Sequence, residues 1–138
     1  MYTQMMIPVD LAHVERLEKA LQTGADLAKL YDLPVCYVGV TADTPGAVAH
    51  NPNEYAKKLQ AFGQAQAEKY GLNKFSTSGY VCNDPAVDLD KTLLKAADEQ
   101  GADLVVMASH VPGLVEHLFA SNAGYFASYA KASVLVVR

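Results

Sequence analysis

Five short β-prone stretches, each followed by a segment of helical period or closing the chain, constrain this sequence more than any other feature. Met5 to Val9 (MMIPV) is an apolar run ended by Asp10, and Pro8 should interrupt its hydrogen-bond ladder near the strand's end. Val14 to Tyr31 carries apolar residues mostly at helical spacing, with Gly24 as a point of close packing, and Pro34 breaks the chain after it. Val35 to Val40 (VCYVGV) is continuously apolar, as a central parallel strand is. Thr41 to Pro52 has no period and reads as a loop of functional length. Asn53 is the expected cap of the next helix, which runs to Tyr70 and stops at Gly71. Phe75 to Cys82 is the third strand, and Asn83-Asp84-Pro85 starts a helix with Asp84 at N-cap and Pro85 at N1. That helix ends at Gly101, Leu104 to Ser109 is the fourth strand, a helix over about 122–131 follows, and Ser133 to Val137 is the last strand.

Strands that alternate with helices imply an open parallel sheet of the Rossmann-like α/β class, with helices on both faces and right-handed crossovers. The 138 residues fit a single domain over 1–138, and the 51 % hydrophobic content supplies a core. A net charge of −4 argues against nucleic acid as a partner. No signal-peptide pattern and no apolar run of membrane-spanning length are visible, so a cytoplasmic location is expected. Cys36 and Cys82 lie in apolar runs and read as buried thiols without metal spacing.

In such sheets a ligand sits outside the carboxyl ends of the strands, where the strand order reverses. The candidates are therefore Pro8, Val9 and Asp10, Val40 and Thr41, Asn83 and Asp84, and the stretch from Met107 to Asn122. Asp10 can accept from a ribose hydroxyl or an adenine amine, or can cap the first helix. Asp84 reads as a cap alone. His110 follows the fourth strand and can line a phosphate site. His117 faces it at most as half of an incomplete metal pair, and His13 and His50 read as surface residues without partners. Ser121 and Asn122 can cap the fourth helix and offer its free N–H groups to an anion. The chain shows no nucleophile–base set, no GxSxG, no HExxH and no Walker A lysine, so no catalytic residue is assigned.

Three stretches together resemble the universal stress protein family: MMIPVDLA at the first strand, GADLVVMASH at the fourth, and SNAGYFASYAKASVLVVR at the close. Nucleotide-binding members carry G-x2-G-x9-G-[S/T], in which glycines let backbone approach the phosphates. This chain departs from that pattern. Ala108 and Val111 replace the first two glycines, and with a loop one residue shorter Ala120 replaces the third, leaving Ser121 as the hydroxyl. Val111 narrows the loop, and Glu116 there repels phosphate unless a divalent cation intervenes.

The resemblance implies that Asp10 contacts ribose or adenine, that Val9 packs near the base after Pro8, and that Val40 meets the adenine edge through its backbone. It implies that Met107, Ala108 and His110 line the phosphate side, with Ser121 and Asn122 binding phosphate. It further implies ATP, ADP or AMP as ligand, with Mg²⁺ or Mn²⁺ as the accompanying cation. A homodimer through Ser133 to Val137, open to higher assembly, is implied as well, as is contact with a transporter or another regulatory partner. Three readings follow. One is an adenine-nucleotide-binding regulatory protein of the stress response, with ATP hydrolysis slow or absent. Another is a relative that has lost nucleotide and acts as a dimeric interaction module. The third is a nucleotide hydrolase.

Overall fold

The computed structural model describes residues 1–109 and 123–138, with the backbone alone at 85 and 86. Its strands are β1 (Met5–Val9), β2 (Val35–Ala42), β3 (Phe75–Cys82), β4 (Leu104–Ala108) and β5 (Ser133–Val137). Its helices are α1 (Glu18–Tyr31), α2 (Pro52–Tyr70), α3 (Pro85–Glu99) and α4 (Ala123–Tyr129). All pairings are parallel, in the order β3-β2-β1-β4-β5. The expected α/β class is thus the observed one.

Burial along the strands follows from that order. All five residues of β1 and the first five of β2 are buried, because both faces of a central strand are covered. The edge strands β3 and β5 alternate between partly buried and exposed positions. On one face Met5, Ile7, Tyr37 and Leu59 pack under α1 and α2; on the other Met6, Cys36, Leu93, Met107 and Phe126 pack under α3 and α4. Each such fully buried apolar side chain stabilises the fold by ~1.5–3 kcal/mol. Cys36 is buried and Cys82 only partly so, and burial pushes both thiols above their ordinary pKa. The Tyr37 hydroxyl is buried in the first core and finds no hydrogen-bond partner among the described residues, and burial pushes its pKa up to about 12.

Two local expectations change. The region from Val14 to Tyr31 is not one helix: Val14–Arg16 is a 3-10 turn, and α1 begins at Glu18. The tight turn that Asp10 builds before it delays the helix. Gly24 is the point of closest approach expected of it, since a Cβ there would strike Ile7 Cδ1 on β1. The second change concerns α2, whose cap is Asn51 rather than Asn53. Asn51 Oδ1 accepts from the Glu54 N–H at 2.8 Å, and Pro52 fills the first helical position, where its missing N–H costs nothing.

Candidate functional site

The strand order reverses between β1 and β4, and a covalent device ends the ladder of that pair early. The Leu104 N–H donates to the Gln4 carbonyl, so the even-numbered residues of β1 face β4. The β1–β4 register holds Met5 opposite Leu104 and Met6 opposite Val105, and stops there. The next rung would need an N–H at residue 8 to reach the Val106 carbonyl, and Pro8 has none. On the other flank β1 stays paired with β2 as far as Val9 opposite Gly39. Pro8 therefore interrupts the ladder on the β4 side only.

Asp10 stands just beyond β1, with its side chain 11 % exposed. Its Oδ1 accepts from the Ala12 N–H at 3.0 Å, its carbonyl accepts from the His13 N–H at 3.0 Å, and its Oδ2 lies 2.8 Å from His13 Nδ1. His13 is thus partnered, not the isolated surface residue that its sequence context suggested. Beside Asp10, Val40 lies one residue beyond the last β1–β2 rung. Val35 donates to Lys74 on the β3 side, so alternation turns the Val40 carbonyl toward β1, past its end.

A cavity of about 210 Å³ occupies this corner, lined by Asp10, Val40, Thr41, Pro45, Val48 and Tyr55 among others. The loop over 43–51 covers it. Ala49 is buried, the Gly46 N–H donates to the Ala49 carbonyl at 2.9 Å, and Lys58 Nζ on α2 donates to the Val48 carbonyl. Lys58 also pairs with Glu54 at 3.3 Å. The His50 N–H donates to Glu54, which helps hold that carboxyl below its ordinary pKa.

Tyr55 enters from the first turns of α2 and is 4 % exposed. Its ring covers Gly39: a Cβ there would strike the phenolic oxygen and come within 2.9 Å of Cζ. Burial, with the Asp10 charge adding to it, raises the phenol's pKa, so it stays a neutral donor. The sequence reading missed Tyr55. Its one signal is Gly39, a residue without a side chain inside an otherwise bulky strand, which marks a close approach.

The remaining expected residues fall as follows. Pro8 and Val9 are buried in β1, and Met107 is buried in the core under α3 and α4. Ala108 is partly buried against the core that holds Val9. Asn83 and Asp84 precede α3, and the Asp84 carbonyl accepts from the Val87 and Asp88 N–H groups. The expected phosphate side, His110, Val111, Ala120, Ser121 and Asn122, lies outside the described residues, as do Glu116 and His117. Among the described residues no group of three or more His, Cys, Asp or Glu could hold a metal ion. Among them, too, no helix is long and apolar enough to cross a membrane.

Strand order, cavity and carboxylate together define a parallel α/β protein with a pocket at the carboxyl ends of β1 and β2. The chain matches the Universal stress protein family over residues 1–138 and belongs to that family. It is 24 % identical to Universal stress protein G of Salmonella typhimurium over 146 residues, covering 100 % of both chains. Among solved structures it resembles the universal stress protein from Archaeoglobus fulgidus in complex with dAMP, at 21 % identity and TM-score 0.69, covering 99 % of this chain and 98 % of that one. It also resembles a universal stress protein in complex with cAMP, at 18 % identity and TM-score 0.72, covering 99 % and 97 %.

Proposed function

We propose that this universal stress protein binds an adenine nucleotide, ATP, ADP or AMP, at the Asp10–Val40–Tyr55 cavity and acts as a regulatory protein of the stress response. The observation that carries this reading is the cavity itself. It sits at the carboxyl ends of β1 and β2, and it presents a carboxylate and a strand carbonyl that match the donors of a nucleoside. Its 210 Å³ is below the ~300–1,000 Å³ that houses a whole drug-sized ligand. It suits the base-and-sugar end, with the phosphates directed toward Ala108, Ser121 and Asn122. A Mg²⁺ or Mn²⁺ ion would offset the phosphate charge against Glu116. Relatives of the same fold are described as complexes with dAMP and cAMP, which supports the ligand class.

The protein works as a homodimer through β5 in this reading. Among the described residues that strand is a sheet edge paired only with β4, and Leu135 and Val136 on it are 38 % and 37 % exposed. A row of unpaired backbone groups with apolar side chains favours pairing with a second copy. Calorimetry and thermal melting with ATP, ADP and AMP, with and without Mg²⁺, test the nucleotide reading. Saturable heat and a rising Tm are expected, since a ligand of the native state adds stability. No response at millimolar nucleotide overturns the reading. Sedimentation at micromolar concentration is expected to give a dimer.

A second reading, a dimeric interaction module that has lost nucleotide, is favoured by one observation. Both Asp10 carboxylate oxygens already engage their own turn. It expects the dimer without the heat.

A further inference from the structure

Two tyrosines lie in the same core and differ in what their hydroxyls meet. Tyr37 is wholly buried, and among the described residues its oxygen meets no partner. Tyr55 is almost as buried, yet it lines the cavity beside Asp10. Among the described residues the Tyr55 hydroxyl donates a hydrogen bond to none, although the Asp10 charge is near enough to raise its pKa. An unengaged donor and a carboxylate acceptor that line one cavity form a recognition pair. The Asp10 carboxylate, with room for about four hydrogen bonds, keeps capacity after serving Ala12 and His13.

We propose that Tyr55 is a specificity-determining residue of this site. It donates its phenolic hydrogen to a ring-nitrogen or hydroxyl acceptor at the base-and-sugar end of the nucleoside, while Asp10 accepts from a donor beside it. The inference rests on the nucleotide reading above. Gly39 is the structural condition for it, because any larger residue there would drive the phenol from its position. The contact belongs to the nucleoside and not to the phosphates, so its loss weighs equally on adenosine and AMP.

The test titrates wild-type protein, Tyr55→Phe and Gly39→Ala with AMP and with adenosine by calorimetry, and records the Tm of each ligand-free protein. Tyr55→Phe keeps the ring over Gly39 and removes only the hydroxyl. It is expected to bind both ligands about 3- to 10-fold more weakly, the range of one net hydrogen bond, at an unchanged ligand-free Tm. Gly39→Ala is expected to weaken both further. Carbon-13 labelling of the tyrosine Cζ atoms adds a readout that packing alone would not move. On saturation with AMP the Tyr55 resonance shifts, and that of the buried Tyr37 stays in place. Wild-type protein that binds AMP while Tyr55→Phe loses less than about threefold overturns the Tyr55 assignment and leaves the nucleotide reading standing. So does a loss confined to AMP, or a Tyr55 resonance that AMP leaves unmoved. Wild-type protein that binds neither ligand overturns both.

Discussion

The two flanks of β1 are built from the same five residues and behave oppositely. Toward β2 the ladder runs the whole strand, from Met5 opposite Val35 to Val9 opposite Gly39. Toward β4 it ends after Met6 opposite Val105. The β1–β4 pair is fastened at its amino end. There Asp103 accepts from the Thr3 and Gln4 N–H groups at 2.9–3.1 Å and from the Thr3 hydroxyl at 3.0 Å, and so ties the start of β1 to the start of β4. The ladder is thus secured where it begins, and it ends at Pro8; it is across this pair that the order of strands reverses. The fully laddered flank, toward β2, is the one whose carboxyl end carries the cavity.

The largest effect on this contrast is expected from Met6→Ala. Met6 is fully buried at the last rung of the β1–β4 ladder, and truncation there leaves a cavity under α3. Urea unfolding is expected to show a loss of about 2–5 kcal/mol. An effect under 1 kcal/mol would mean that the fastened end contributes little.

Asp103→Ala is expected to cost about 1–2 kcal/mol, as the loss of a carboxylate that holds backbone donors does. The same group gives a pH signature. Burial pushes the Asp103 carboxyl up, but the hydrogen bonds from Gln4 and Thr3 outweigh it and hold the pKa below its ordinary value. Its contribution is therefore complete above the unfolded pKa of ~3.9 and is lost as pH falls through the lower folded value. Thermal melts between pH 2 and pH 5 are expected to fall less steeply for Asp103→Asn than for the wild type. Parallel curves would remove Asp103 as a source of that slope.

Pro8→Ala has the smallest effect on stability, within about 1 kcal/mol, because the added hydrogen bond is set against greater freedom of the unfolded chain. Its effect on the ladder is specific. The new N–H is expected to donate to the Val106 carbonyl and extend the β1–β4 ladder. Hydrogen exchange is expected to find a protected amide at residue 8. An unprotected amide would show that the ladder ends for another reason.

Much of the fold was legible because its signals are local and agree. Continuous apolar runs marked the covered strands, Gly71 and Gly101 marked helix ends with positive φ, and Pro8 marked the break. The strand order was not legible, since it depends on which faces meet and no residue encodes it alone. The cap of α2 was misread because Asn51 and Asn53 carry the same chemistry two residues apart; Pro52 settles it, being at home in the first helical position. Within the site, Asp10 could be read from its place just after β1, and Val40 from the end of its apolar run, although β2 itself continues to Ala42. His13 could not, since its pairing needs the tight turn that brings residue 13 back over residue 10. Tyr55 escaped because its spacing with Leu59 is that of an ordinary buried helix face, and only the missing side chain at Gly39 distinguishes it.

The proline at position 8 also bears on how readily the turn at Asp10 is approached. The ladder is ended by a bond-level constraint, a ring nitrogen with no hydrogen, and not by a contact that must first break. That ending is therefore preorganised: no hydrogen bond at residue 8 has to be given up before a molecule meets the end of β1, and affinity there is not discounted by the scarcity of an unpaired form.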